Sequence, residues 1–258
     1  MEAFKITKIK TATREVVEDF LAREVPLTIV VSDREIVTLL CTPCDLEDLT
    51  KGFLFTSGLI KKKDNIKKIV LDQERWTAYV DLDNDIKVQD LVFKRLYTSG
   101  CGKGTLFYNA VDFMHRSKMV SKLTVKSSHI TSLMLDFQKK SEMYLKTGGV
   151  HSAAIADNKT ILVFKEDIGR HNAIDKVIGH MISTGVSLKD KFIITSGRIS
   201  SEVILKVKKC SIPIVISKSA PTNQAVRLAR QMGITLVGSA RGSRMNIYSE
   251  EERVITEE

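Results

Sequence analysis

Apolar residues follow two different rhythms along this chain. Up to about residue 125 they come in short β-like runs. Segments 27–31 and 35–40 read as strands, and 66–71 and 76–82 read as a pair joined by the charged turn between them. One helix interrupts the series, predicted from 46 to about 57 with Asp45 as its cap. From about residue 129 the rhythm lengthens. Ile130, Leu133, Met134, Phe137, Tyr144 and Leu145 lie near one helical face, and Gly148-Gly149 stops that helix. Strands at 151–156 and 160–165 follow, then helix 171–183, strand 192–196, helix 200–210, strand 213–217 and helix 222–232. Two strands, 234–238 and 245–249, precede an acidic tail.

This alternation predicts an α/β fold, with a mostly parallel sheet covered by helices on its faces and a smaller β-rich region at the N-terminus. The β-rich region would span 1–125 and the α/β domain 126–258. In such a sheet every strand-to-helix junction opens on the same edge, so 166–172, 196–201 and 217–222 should lie side by side. The first of these belongs to Lys165-Glu166-Asp167-Ile168-Gly169-Arg170-His171-Asn172-Ala173-Ile174-Asp175-Lys176, a crowded run of polar groups. A plain connection needs only a turn residue such as Gly169 and a cap such as Asp167, Asn172, Ser200 or Thr222. Three junctions on one edge, each offering helix N–H groups and two of them an arginine, point to phosphate or nucleotide binding. Neither G-x-G-x-x-G nor G-x-x-x-x-G-K-[ST] occurs, which argues against a Rossmann dehydrogenase or a P-loop ATPase.

Composition narrows the class further. The 258 residues, 43% hydrophobic, suffice for a proper core, and no apolar run approaches bilayer length. Met1-Glu2-Ala3-Phe4-Lys5 lacks the apolar core of a signal peptide, and four cysteines in a chain this long are no disulfide framework. A cytoplasmic protein without membrane contact is expected. The net charge of +9 gathers in lysine clusters at 61–63, 67–68, 139–140 and 206–209. Those clusters contain no aromatics, so a phosphate-bearing small ligand or an acidic protein partner suits the charge better than nucleic acid.

The polar motifs have a common resemblance. Gly148-Gly149-Val150-His151-Ser152-Ala153-Ala154, the run from Lys165, Ser196-Gly197-Arg198-Ile199-Ser200-Ser201-Glu202, Ser219-Ala220-Pro221-Thr222 and Thr235-Leu236-Val237-Gly238 with Arg241 appear in order. Together with Cys41-Thr42-Pro43, with Asp45-Leu46 through Gly52-Phe53-Leu54 and with Cys101, they resemble the FdhD family, sulfurtransferases that assist formate dehydrogenase maturation. The likeness runs from about residue 13 to about 249. It implies a cytidine-deaminase-like α/β domain beside the β-rich region, and a homodimer. Deaminases of that fold carry H-x-E…P-C-x-x-C, whereas His151 is followed by Ser152 and Ala153 with no C-x-x-C after it, so zinc-dependent deamination is excluded and no metal ligand set is expected. The resemblance also implies a client ligand, the molybdenum (or tungsten) bis-molybdopterin guanine dinucleotide cofactor, with GDP as its surrogate. Ser239, Ala240, Arg241, Gly242, Ser243 and Arg244 should contact it, since arginines bond phosphate bidentately and small residues allow close approach. His151, Asp167, His171 and Arg198 are further candidates for lining that site. A satisfied core histidine is the alternative for His151.

The cysteines divide by setting. Cys41-Thr42-Pro43-Cys44 has the spacing of a redox dithiol or of half a zinc site, but no second C-x-x-C completes a tetrad, and Cys41 reads as the end of a buried strand. Cys210 reads as a small core residue. Cys101 lies in Thr98-Ser99-Gly100-Cys101-Gly102-Lys103-Gly104, where glycines free the backbone and Lys103 favours the thiolate. Its surroundings alone leave an ordinary loop cysteine equally open. By resemblance, Cys101 is the catalytic persulfide carrier, taking sulfur from a cysteine desulfurase and passing it to the cofactor for formate dehydrogenase. The family often has C-G-x-C-G there; this chain has one cysteine, so a dithiol step within the loop is ruled out. A chaperone that binds the guanine-dinucleotide cofactor without moving sulfur is the alternative function.

Overall fold

The computed structural model describes residues 1–61, 65–83 and 118–256. The chain opens with a hairpin, β1 (Glu2–Lys10) and β2 (Thr13–Leu21). Its strands are mostly exposed and interleave apolar Phe4, Ile9, Val16 and Phe20 with charged residues. Next come β3 (Val25–Val31), β4 (Arg34–Cys41), α1 (Leu46–Thr56), β5 (Ile66–Asp72) and β6 (Thr77–Leu82). Strands β3 to β6 form one sheet in the order β4-β3-β6-β5, and Leu27, Ile29, Leu49, Leu54 and Ala78 are fully buried between it and α1. Asp45 does not cap α1. It sits in the left-handed region at φ 54, and its carboxylate is drawn instead to Lys165.

The second half begins with β7 (Val125–Lys126), α2 (Ser127–Lys139) and α3 (Glu142–Thr147). The single helix expected from about 130 to 147 is thus two, because the chain breaks at Ser141. That serine is buried, and its hydroxyl bonds back to Phe137 O and across to Ser152 Oγ. Then follow β8 (His151–Ala156), β9 (Ile161–Asp167), α4 (Arg170–Thr184), β10 (Phe192–Thr195), α5 (Ser201–Lys209), β11 (Ile214–Ser217), α6 (Asn223–Met232), β12 (Thr235–Arg241) and β13 (Arg244–Ser249). A short 3-10 turn at Glu251–Arg253 leads to β14 (Val254–Ile255), which pairs with β7.

The large sheet has the order β13-β12-β11-β10-β8-β9. It is mixed rather than mostly parallel: β10, β11 and β12 pair in parallel, while β8–β9, β8–β10 and β12–β13 are antiparallel. The reason is connection length. Crossovers through α5 and α6 allow parallel neighbours, whereas the turns at 157–160 and 242–243 can only reverse the chain. Even so, β9, β10, β11 and β12 all run one way, so their carboxyl ends share one edge with the start of β8. Alternate strand residues feed two cores. Ile155, Ile193 and Val215 face α4, α5 and α6, while Ala154, Ile194 and Ile216 face α2.

Among the described residues, helix α4 is packed on two sides. One side supplies Ile174, Val177, Ile178 and Met181 to the core beneath the sheet, each contributing roughly 1.5–3 kcal/mol by burial. The opposite side crosses α1 in backbone contact. A Cβ on Gly52 would lie 1.8 Å from Asp175 O, and one on Gly179 would lie 1.9 Å from Asp48 O. Two buried ion pairs flank this crossing. Lys176 Nζ meets Asp167 Oδ2 at 2.7 Å with both side chains fully enclosed, and Lys206 meets Asp175, whose other oxygen accepts from Thr56.

Candidate functional site

The strand edge carries a cleft of about 480 Å³. Among the described residues its walls include Phe137, Ser141, Tyr144, Leu145, Gly148, Gly149, His151, Ser152, Ile168, Ser196, Lys218, Ser219 and Arg241. Strand ends and junction loops bring these groups together, and serines stitch the loops laterally. Ser196 Oγ accepts Ser152 N–H at 2.9 Å and lies 3.3 Å from His151 Nδ1. Ser219 Oγ donates to Ser196 O, Ser217 Oγ donates to Gly197 O, and Ser239 N–H donates to Ser219 O. The loops after β10, β11 and within β12 therefore form one linked rim. Short hydroxyl side chains suit this role because they reach neighbouring backbone without filling the cleft.

The predicted ligand residues separate on inspection. Arg241 lines the cleft, and its Nε donates to Lys218 O at 3.1 Å, which fixes the guanidinium's direction. Segment 239–244 is the tip of the β12–β13 hairpin rather than a loop after a strand ending at 238, because a bulge between Gly238 and Arg241, with Ser239 at φ 53, lets β12 continue. Arg241 and Arg244 are register partners across that tip, both exposed. Like charges directly opposite destabilise a hairpin, a cost that a bound anion would relieve. Gly242 and Ser243 make the turn, while Ala240 is buried in the α2-side core and does not face the cleft.

His151 stands at the start of β8 on the cleft wall. Burial holds its pKa below the ordinary histidine value, and Arg170 and Arg198 push it the same way while Asp167 opposes them. The imidazole is therefore neutral in a positive field. Arg198 itself is exposed on the loop before α5. His171 lies deeper, with Nε2 at 3.4 Å from both Ser200 Oγ and Glu202 Oε2. Burial first, then Lys206, Arg170 and His151, lowers its pKa to about 3. Burial likewise raises the Glu202 carboxyl. Neither His171 nor Arg198 is among the groups lining the cleft.

Asp167 belongs to the joint and not to the cleft. Its Oδ2 accepts from Thr42 N–H, the Thr42 hydroxyl and Lys176, and its Oδ1 accepts from Gly169 N–H and Asn172 Nδ2. Every lone pair is used within the protein, and the side chain is 0% exposed. Of the expected caps, only Thr222 bonds its helix, accepting from Ala225 N–H. Sequence reasoning put Ser196 and Lys218 on this edge through the junctions 196–201 and 217–222 without naming either as a ligand residue, and it missed Tyr144 as a cleft residue and Glu166 as the group beneath it. Glu166 lay inside the motif already singled out, but nothing in its spacing says where a carboxylate points. Cys101 lies outside the described residues. Cys41 is buried, and burial with Asp167 nearby pushes its thiol up to about 12, the behaviour of an inert core cysteine.

A sequence model of the FdhD/NarQ family matches residues 22–255. The chain belongs to the FdhD/NarQ family. Among curated members, the sulfur carrier protein FdhD of Bacillus subtilis (strain 168) is 42% identical over 239 residues, covering 92% of this chain and 91% of its own. The sulfur carrier protein FdhD of Staphylococcus aureus (strain Newman) is 42% identical over 241 residues, covering 93% and 91%. A crystal structure assigned to a formate dehydrogenase accessory protein from Desulfotalea psychrophila superposes with TM-score 0.79 at 27% identity, over 98% of this chain and 99% of that one. The hairpin β1–β2 lies wholly ahead of the family match. Among the described residues no helix is long and apolar enough to cross a membrane.

Proposed function

We propose that this protein is a sulfur carrier for formate dehydrogenase maturation. Cys101 takes the sulfane sulfur of a desulfurase persulfide: its thiolate attacks the outer sulfur, the S–S bond of the donor breaks, and the donor leaves as a thiolate. The carried sulfur then passes to the metal of a molybdenum (or tungsten) bis-molybdopterin guanine dinucleotide, the client substrate. The reduced metal or a cellular thiol supplies the two electrons that sulfane sulfur needs to become sulfide. The cleft would hold the dinucleotide part, with Arg241 and Lys218 toward phosphate and the serine rim accepting the closely placed backbone of the ligand. We read the scaffold as cytidine-deaminase-like, the enzyme as a persulfide carrier, the state as a homodimer and the compartment as cytoplasmic.

The observation that carries this reading is the span of the family match, which includes the Cys101 loop and all of the cleft motifs. The test is incubation with a cysteine desulfurase and cysteine, followed by mass spectrometry of the Cys101 peptide. One added sulfur atom on Cys101 is expected, and the Cys101→Ser variant should bind GDP normally yet deliver no sulfur and yield inactive formate dehydrogenase. Labelled sulfur on Cys41 or Cys44, with a Cys101→Ser protein that still matures the enzyme, would overturn the single-cysteine relay. GDP binding with no sulfur on any cysteine would favour the chaperone reading.

A further inference from the structure

Among the described helices, the one that forms a wall of the cleft is held unlike the rest. α3 has no buried residue, and Tyr144 and Leu145 are 44% and 70% exposed. It is flanked by two pivots. On one side the chain breaks at Lys140 and Ser141, with Ser141 anchored to β8 through Ser152. On the other, Gly148 closes the helix in the left-handed region at φ 63, with open space where a side chain would project, and Gly149 follows. Apolar packing cannot fix a helix of six residues with no buried side chain. Strand β2 of the exposed hairpin lies against it.

One carboxylate holds its first turn. Glu166, near the end of β9, places Oε2 at 3.0 Å from Met143 N–H and Oε1 at 3.0 Å from Tyr144 N–H. These are N–H groups of the first turn of α3, which the helix cannot satisfy itself, and an ionised acceptor makes such bonds about twice as strong as neutral ones. The backbone of Glu166 is in turn held by Lys176, whose Nζ donates to its carbonyl at 3.2 Å. The latch is thus mounted on a strand tied to the buried Lys176–Asp167 pair. Across the cleft, Lys218 Nζ lies 6.0 Å from the centroid of the Tyr144 ring. The cation rests on the aromatic face and spans the two walls.

We propose that α3 is a hinged gate of the cleft, that Glu166 is its latch, and that Tyr144 is the surface on which the ligand's planar base stacks. Lys218 holds that face when no ligand is present. On binding, the ammonium turns to the ligand's phosphate and the base takes its place on the ring, so the gate closes on the ligand through an aromatic contact. Glu166 acts as a positioning residue, since it touches the gate and not the ligand. The stacking role rests on the reading of the cleft as a nucleotide site; the latch does not.

The experiment has two arms on the full chain, with circular dichroism confirming folding of each variant. The first is hydrogen exchange of peptides covering α3 in wild type and Glu166→Gln. The amide of Gln puts a donor against an N–H, so one charge-assisted bond is lost, and exchange in α3 should rise about tenfold or more. The second is GDP binding by stopped-flow and calorimetry. Tyr144→Ala should weaken GDP about tenfold, Tyr144→Phe should keep affinity within about twofold, and Glu166→Gln should raise the off-rate. Unchanged exchange in Glu166→Gln overturns the latch. Wild-type affinity in Tyr144→Ala overturns the stacking surface. A wild-type protein that binds no GDP overturns the nucleotide reading and the stacking role with it, while the exchange arm still decides the latch.

Discussion

Replacing Asp167 by Asn tests whether this residue is structural, as its surroundings demand. The substitution keeps the shape but removes the charge and turns one acceptor oxygen into a donor. Asp167 accepts from Thr42 twice, from Gly169, from Asn172 and from Lys176, all in a site closed to water. After the change, Lys176 is left fully buried without its carboxylate partner and facing an amide. Breaking one partner of such a pair costs about 3–5 kcal/mol, a large share of the roughly 5–15 kcal/mol that holds a typical domain folded. Urea unfolding should therefore show a much lower midpoint with an unchanged slope. The double variant Asp167→Asn with Lys176→Met removes both charges. It should be more stable than the sum of the single losses predicts, by about 2 kcal/mol or more, because the two residues act as one unit. A loss below about 1 kcal/mol for Asp167→Asn, or simple additivity in the double variant, would refute the assignment and return Asp167 to the list of ligand residues.

Three further outcomes follow from the geometry. Arg241→Ala should weaken GDP by about 1.5–3 kcal/mol without changing the melting temperature, as calorimetry and thermal unfolding would show. Gly179→Ala should destabilise by about 3 kcal/mol or more, since its new methyl group meets the α1 backbone at Asp48 O, and a clear drop in melting temperature is the readout. His171 should make the fold acid-sensitive. Its folded pKa of about 3 lies below the unfolded value near 6.5, so the unfolded chain binds the proton more readily and stability falls as pH drops below about 6.5, by roughly 2 kcal/mol at pH 5. The raised Glu202 carboxyl has the opposite sign, so the measurement is the difference in pH profile between wild type and His171→Gln, in which this loss should disappear.

The sequence spoke most clearly where apolar residues run unbroken or recur at helical spacing. Strands 151–156 and 192–195 are buried on both faces, helices α4, α5 and α6 carry apolar residues at their own period, and all appear within a residue or two of their expected bounds. It was silent on the β1–β2 hairpin, whose apolar residues are interleaved with charged ones and left exposed, and it misjudged strand direction where turn length, not composition, sets the pairing. At the site, the motifs named the right edge but not the roles within it. Asp167 and Glu166 are adjacent acids in one motif. Alternation along β9 sends one inward to the joint and the other outward to α3, a difference of a single residue's direction. The pairing of Lys218 with Tyr144 was invisible for another reason, because each becomes meaningful only when the other is brought opposite it.

The crossing of α1 and α4 also decides how this protein can be taken apart. A fragment of residues 126–258 would keep the whole large sheet, yet it would bare the outer side of α4. That surface holds Gly179 and the backbone of Asp175, which α1 normally covers, and it would leave Lys176 and Asp167 without Thr42. The reciprocal fragment would expose Gly52 and the adjoining face of α1. Two cores therefore share one indivisible seam, and expression of either half should give aggregation in place of a working module. Dissecting the sulfur-handling and cleft-forming parts calls for point substitutions within the intact chain.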